Sequence, residues 1–256
     1  MLRGRNPVRY SDLLKSSLGA MAGVVATGLI ARLLVSGQLS ALPLLAPPIG
    51  ASAVLAFAVP ASPLAQPRAI IGGNVLSALV GVSCALAFHE HPVLAAALAV
   101  GGAIVVMSVL GCLHPPGGAV ALGSALAAAS PDASPFSYVL APIGLCSVLM
   151  VASAMIYARL LGRTYPHRVP PQTSPHATQD APPLQRVGFT PSDIDSALAH
   201  YGDLLDVDRA DLDALFREVE LQAHQRIHAH ILCGDIMSRD VLTVDLHQSA
   251  ESALTY

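Results

Sequence analysis

The sequence predicts an all-α polytopic membrane protein, built from two repeats of a helix, a proline-broken half-helix and a second helix. Its 256 residues are 53% hydrophobic and only 12% charged, whereas a soluble protein carries about 25% charged residues. Of the 17 acidic residues, only Asp12, Glu90 and Asp132 precede residue 170. The motif Leu-x-Pro-Pro-x-Gly-Ala-x-Ala occurs twice, at 45–53 and 113–121. It interrupts apolar runs that would otherwise continue as membrane helices.

Composition and charge divide the chain into five segments. They are a basic N-terminus at 1–17, a membrane domain at 18–163 with repeats at 18–88 and 93–161, a proline-rich linker at 164–188, soluble helices at 189–232, and a last α/β segment at 233–256.

The first repeat begins with the apolar run 18–35, which is long enough to cross a bilayer. We interpret it as a retained helix rather than a cleaved signal, because further apolar runs follow. Arg32, near its far end, either extends to the membrane interface or faces an internal path for anions. The repeat ends with the apolar run 69–88, and His89, Glu90 and His91 follow it in a polar turn that we interpret as solvated.

Prolines break the apolar run 39–59 between these two helices. Pro43, Pro47 and Pro48 remove backbone donors and exclude a regular helix at that point. An extended leg as far as Ala46, followed by a half-helix from about Pro48, fits the sequence better.

The second repeat has the same order. A helix at 93–113 is expected to run without a loop into His114-Pro115-Pro116, a half-helix follows at 116–130, and the last helix is 136–161. Re-entrant half-helices would give four crossings and parallel repeats, whereas broken helices that cross would give six crossings and inverted repeats. The sequence leaves both topologies open.

The two half-helix N-termini are the candidate site for a small anion. A helix N-terminus presents free amides and a partial positive charge, and glycine allows a ligand close to the backbone. The candidate substrate-binding residues are Arg32, Pro47, Pro48, Gly50, Ala51, Ser52, His114, Pro115, Pro116, Gly117, Gly118 and Ala119. The alternative is purely structural: the prolines and glycines shape helix packing, and His114 donates to a backbone carbonyl.

Other chemistry has little support in the sequence. The four cysteines have no metal or disulfide spacing, and His224, His228 and His230 are expected to be a solvated helix end. No catalytic pattern is present, so we expect no enzyme activity, and the acidic tail disfavours nucleic-acid binding. In that tail, Thr190 should cap a helix at 191–201, and a longer helix should cover 208–232.

The membrane half resembles the HPP family of integral membrane proteins over about 10–165. The resemblance rests on the stretches 47–53, 62–68 and 114–119. It implies four membrane helices and, by extension from plant and cyanobacterial members, nitrite transport in a bacterial inner membrane with both termini cytoplasmic.

The tail from Cys233 to Val244 resembles the start of a CBS domain. CBS domains usually pair, bind adenine nucleotides and dimerise, which implies a homodimer and regulation by nucleotide in a longer protein of which this chain is a piece. The alternative function is a membrane-anchored nucleotide sensor without transport activity.

Overall fold

The computed structural model describes residues 10–35, 45–128, 135–168, 190–201 and 206–228, and these residues form helices and no strand. The helices are α1 (Tyr10–Leu34), α2 (Pro47–Ala58), α3 (Gly73–Ala87), α4 (Pro92–Val109), α5 (Pro116–Ala128), the short α6 (Pro135–Tyr138), α7 (Cys146–Leu160), α8 (Pro191–Tyr201) and α9 (Arg209–His228).

Six of the described stretches are apolar helices, as predicted. Four are long and apolar enough to cross a membrane: Tyr10–Leu34, Arg68–Ala87, Pro92–Val109 and Phe136–Leu160. The half-helices α2 and α5, with 12 and 13 residues, are shorter. Many large apolar side chains on the outer faces of these helices are exposed, which suits contact with lipid.

Two predicted helix ends are wrong. α1 begins at Tyr10 rather than at 18, because polar residues such as Asp12 are tolerated in a first turn that lies before the apolar stretch. α4 ends at Val109 rather than at 113. Gly111 has a φ of 61°, a left-handed conformation that glycine adopts freely and that ends the helix. A non-helical leg of chain therefore precedes His114.

The first half-helix has the predicted form. Ala46 is extended, with φ −71° and ψ 140°, and α2 begins immediately after it at Pro47. Pro47 and Pro48 occupy the first positions of the helix, where a missing amide costs no hydrogen bond.

α2 runs antiparallel to α1. A Cβ atom added at Gly28 would lie 2.8 Å from Cδ1 of Leu45, and one added at Gly23 would lie 2.6 Å from Cζ of Phe57. The start of α2 is therefore level with the far part of α1, and its end is level with the earlier part. Glycine at positions 19 and 23 gives Phe57 the space to pack against the α1 backbone.

α3 and α5 run parallel to each other and antiparallel to α4. Nη2 of Arg68, just before α3, donates to the carbonyl oxygen of Leu110 just after α4, at 2.6 Å. The start of α5 packs beside Ser77, and Ser124 packs beside Gly81. Both α3 and α5 therefore lead away from the end of the bundle at which α4 finishes.

α7 returns the chain to the beginning of α1. Nη2 of Arg163 lies 2.6 Å from Oδ1 of Asp12, and the hydroxyl of Tyr165 donates to the carbonyl oxygen of Ala65 at 2.7 Å. We call this the Asp12 end of the bundle. Pro142 lies in the wide π-helical turn Val139–Leu145 that leads into α7, where the lost amide of proline is accommodated.

The chain divides into two compact units, and the second consists of 172–202 and 210–256. Within it, α8 has the predicted bounds, and α9 carries an ion pair one turn apart between Arg217 and Asp213, at 2.8 Å. The CBS resemblance at 233–256, most of the linker and the side chains of His224, His228 and His230 lie outside the described residues.

Candidate functional site

A buried hydrogen-bonded network joins the two half-helix regions. Nε2 of His114 lies 2.8 Å from Oγ of Ser52 in α2, and Nδ1 of His114 lies 2.8 Å from the carbonyl oxygen of Leu64. Nδ2 of Asn74 in α3 donates to Ser52 Oγ at 3.2 Å and to Oγ of Ser147 in α7 at 3.0 Å. The four side chains Ser52, Asn74, His114 and Ser147, here called the central network, have no exposed surface.

The partners of His114 determine its tautomer. A carbonyl oxygen can only accept, so Nδ1 carries the hydrogen that goes to Leu64, and Nε2 of the neutral ring accepts from the Ser52 hydroxyl. The Ser52 hydroxyl also lies 3.2 Å from the carbonyl oxygen of Pro48. It can therefore turn away from His114 without losing an acceptor. One half of the structural alternative, in which His114 donates to a backbone carbonyl, is thus confirmed.

Asn74 leaves one polar atom of the network unpaired. Both of its donor contacts are to serine hydroxyls, and its Oδ1 is buried with no hydrogen-bond partner in the described part of the chain. Most buried polar atoms in proteins are paired, and an exception calls for a reason such as a functional role. Asn74 is therefore a functional-site candidate in its own right.

The network lies deep in the bundle, near the middle of α3. Gly117, in the first turn of α5, packs against Ser77 of α3 and Met107 of α4. Ser77 is close to the centre of the 20-residue apolar stretch Arg68–Ala87. Ser52 and Asn74 belong to the first predicted repeat, and His114 and Ser147 belong to the second. The site is thus shared between the two halves of the membrane domain.

Glycine makes room for His114. A Cβ atom added at Gly73 would lie 2.6 Å from Cβ of His114 and 2.8 Å from the carbonyl oxygen of Cys112. Both distances are shorter than atoms in real proteins tolerate. The non-helical leg before α5 can therefore approach α3 only because position 73 has no side chain.

The first turns of the half-helices do not present the free amides that the sequence analysis expected. In α2 the amide of Ile49 donates to Ala46 at 2.9 Å. In α5 the amides of Gly117 and Gly118 donate to the backbone carbonyl oxygens of His114 and Pro115, at 2.8 and 3.1 Å. The prolines have no amide to offer, and each of the three amides named here already donates to a carbonyl three residues earlier. This interpretation of an amide-lined anion site is wrong for the conformation that the structure describes.

The structure separates the predicted site residues into three groups. Pro48, Ser52, His114, Pro116 and Gly117 are buried. Pro47, Gly50, Ala51, Pro115 and Ala119 are exposed, and Gly118 is partly exposed. Only Ser52 and His114 are joined by a side-chain hydrogen bond. Arg32 is exposed in the last turn of α1 and takes no part in the hydrogen bonds of the central network.

Sequence analysis missed Asn74 and Ser147. Each is one of a few polar residues on an otherwise apolar helix, and such residues usually make polar contacts within a membrane protein. The sequence shows that both residues are polar, but it does not show which residues they contact. In the described residues no group of three or more His, Cys, Asp or Glu side chains could hold a metal ion. The turn His89–His91 is exposed, as predicted.

Comparison with known proteins gives one family and two partial relatives. The family described as "HPP, transmembrane region" matches residues 5–166. Two transmembrane proteins of Dictyostelium discoideum are 42% identical over 109 residues and 40% identical over 122 residues. These stretches cover 41% and 45% of this chain, and 35% and 42% of the relatives. The chain therefore spans less than half the length of either relative. No solved structure matches.

Proposed function

The chain belongs to the HPP transmembrane family, and we propose that it is a membrane transporter or channel for a small inorganic anion. Nitrite is the first substrate to test, because of the family association described above. The protein needs no catalytic activity for this role and none of the proposed steps includes one.

The contact between His114 and Ser52 supports this proposal most directly. It joins the leg before α5 to the second turn of α2. The Nε2 and Oγ atoms are 2.8 Å apart, and neither residue has any exposed surface. A buried polar contact between two broken segments is costly in an apolar domain, and in transporters such segments form substrate sites. No acidic side chain belongs to the network, which suits an anion. Asp12 lies in the first turn of α1 and Glu90 in the turn before α4. The carboxylate of Asp206 is nearer, but it accepts from the Ser62 hydroxyl at 2.6 Å.

We interpret the described conformation as closed. The first-turn amides of both half-helices are occupied, and both ring nitrogens of His114 have partners. The Ser52 hydroxyl can change its acceptor from His114 to Pro48. In the proposed mechanism, this change frees Nε2 of His114, which has no hydrogen in the described tautomer and takes up a proton from water. The half-helices separate, and the resulting imidazolium and the Asn74 amide become donors to the anion.

The helix directions favour six crossings over four. α1, α3 and α5 lead away from the Asp12 end, and α2, α4 and α7 lead toward it. In this proposal each half-helix, together with its extended leg, completes one crossing. The two repeats are then inverted, and both ends of the membrane domain lie on the same side.

Several finer parts of the sequence interpretation remain proposals. They are the cytoplasmic position of both termini in a bacterial inner membrane, a homodimer, and regulation through an adenine nucleotide bound to a complete CBS region. The role of Gly50, Gly118, Pro47, Pro115 and Ala119 in substrate contact is also proposed, since their exposed positions are compatible with access by a ligand.

Uptake by proteoliposomes tests the proposal. The purified chain is reconstituted, and uptake of nitrite, nitrate and formate is compared with that of protein-free vesicles, because protonated weak acids cross lipid unaided. Nitrate is the cleanest probe for that reason. We expect uptake that saturates with concentration, and a loss of about tenfold or more in His114→Ala, because a hydrogen bond to a charged group contributes about 1.5–3 kcal/mol.

The matched control is His91→Ala, which removes a histidine from the exposed turn and should leave uptake unchanged. Uptake is normalised to folded protein by size-exclusion chromatography. Absence of saturable uptake for all three anions would refute the proposal. Nucleotide binding by a longer chain, without any flux, would instead favour the membrane-anchored sensor.

A further inference from the structure

A cleft of about 420 Å³ lies at the Asp12 end of the bundle, beside the last turns of α7. Arg159, Arg163 and Arg168 line it, together with Met155 and Ile156. It shares no residue with the central network, and the proposed function makes no use of it.

The cleft has two uncompensated positive charges. Arg163 is paired with Asp12 at 2.6 Å. Arg159 and Arg168 are exposed, and neither has an ion pair with any acidic residue that the structure describes. The Tyr165 hydroxyl, which also lines the cleft, is already committed to the carbonyl oxygen of Ala65. The guanidinium groups of Arg159 and Arg168 are therefore the donors that a ligand would meet.

The position of the cleft spans the boundary between hydrocarbon and water. The apolar stretch of the last helix ends at Leu160, next to Arg159. Met155 and Ile156 lie one turn earlier on the lining of the same cleft, with 42% and 63% of their surface exposed. A dissolved anion would gain nothing from this apolar part, whereas a lipid would place a phosphate against the arginines and its glycerol and acyl region against Met155 and Ile156.

We propose that this cleft binds the headgroup phosphate of an anionic phospholipid. Arginine matches phosphate with two parallel hydrogen bonds, and basic pockets between membrane helices bind anionic headgroups. The bound lipid would bridge α7 and the chain that follows it, on the side of the membrane where both ends of the membrane domain lie.

Native mass spectrometry of the full chain, released from vesicles of phosphatidylcholine and phosphatidylglycerol, tests the site. The variant Arg159→Gln with Arg168→Gln removes the two free charges. Each arginine that hydrogen-bonds the phosphate directly contributes about tenfold or more in affinity, so we expect retention of phosphatidylglycerol to weaken by about a hundredfold or more. Arg163 is kept, because it is already paired with Asp12.

The control variant, Lys15→Gln with Arg32→Gln, removes the same charge from exposed positions that do not line the cleft. It should weaken retention much less, because it removes only the general attraction of basic residues for anionic lipid and no contact with the bound phosphate. An equal loss in both variants, or no loss in the first, would overturn the proposal. So would displacement of phosphatidylglycerol by inorganic phosphate at matched affinity, which would indicate a site for a dissolved anion. If the double variant does not fold, Arg168→Gln alone should show about a tenfold loss or more.

Discussion

Gly73 leaves the space in which His114 lies. A Cβ atom at position 73 would meet Cβ of His114 at 2.6 Å, and a second obstacle, the carbonyl oxygen of Cys112, is backbone and cannot rotate away. The approach of the leg before α5 to α3, and with it the central network, depends on this one missing side chain.

We therefore expect Gly73→Ala to destabilise the protein by about 1–3 kcal/mol, the usual cost of adding a methyl group to a packed interior. This is opposite in sign to the gain in helix propensity, of up to about 1 kcal/mol, that the same change gives where space is free. Thermal unfolding in detergent measures the effect. The control is Gly101→Ala in α4, where no atom lies within 4 Å of an added Cβ. Equal effects of the two substitutions would contradict the packing argument.

Ser52→Ala should also destabilise the protein, but through polar groups rather than volume. Ser52 accepts from Asn74 and contacts Nε2 of His114, so its loss leaves a buried donor and a buried acceptor without partners. Such groups cost about 1–3 kcal/mol each. The unfolding free energy of Ser52→Ala is compared with that of Ser83→Ala, whose hydroxyl is exposed on α3.

A second variant separates the two contacts of Ser52. Asn74→Ala removes the donor with its unpaired Oδ1 and leaves the pair of Ser52 and His114 intact. We expect it to be less destabilising than Ser52→Ala. If Ser52→Ala and Ser83→Ala were equally mild, the network would contribute nothing to folding, and its polar groups would need another explanation.

The parts of the fold that depend on proline and on local capping could be predicted from the sequence. Proline fixes its own φ and removes its amide wherever it lies, so the extended Ala46 and the starts of α2 and α5 follow from the two Pro-Pro pairs alone. The start of α8 is equally local, since the amide and hydroxyl of Thr190 donate to the carboxylate of Asp193 three residues later.

The parts that depend on tertiary contacts could not be predicted. Apolar residues occur on every face of these helices, and therefore hydropathy does not show that Asn74 and Ser147 point to the same centre as Ser52. The early end of α4 depends on the left-handed φ of Gly111, one of many glycines in apolar runs. The occupied first-turn amides are a different case, because each donates to a carbonyl three residues earlier in the chain, and this local pairing was open to prediction.

The ion pair between Asp12 and Arg163 should contribute little to stability despite its short distance. The two side chains are 45% and 39% exposed, and exposed pairs contribute about 0.2–1 kcal/mol, because water and salt screen them. A double-mutant cycle with Asp12→Asn and Arg163→Gln measures the coupling energy. It should fall as salt is raised. A parallel cycle with Arg159→Gln in place of Arg163→Gln should show none, and a coupling of several kcal/mol for the first pair would contradict this account.

Asp193 should stabilise the start of α8 only in its charged form. The backbone amide of Thr190 donates to its carboxylate at 2.7 Å, and the Thr190 hydroxyl donates at 2.8 Å. These bonds, the backbone one first, lower the pKa of Asp193 below its ordinary value near 3.8. Because the pKa is lower in the folded state, the stability that Asp193 contributes is fully present above the pKa of the unfolded chain. It is lost as the pH falls through the folded pKa.

The carboxyl carbon shift of Asp193, followed by NMR against pH in the full chain, reports this titration. Thr190→Ala should move the midpoint upward toward the ordinary value, although incompletely, because the backbone donor remains. Ser196→Ala, which removes another exposed hydroxyl of α8 that bonds within the helix, should leave the midpoint in place. A midpoint at the ordinary value in the unchanged chain would mean that the two bonds from Thr190 to the Asp193 carboxylate do not hold in solution. The start of α8 would then depend on Pro191 and on the helix dipole alone.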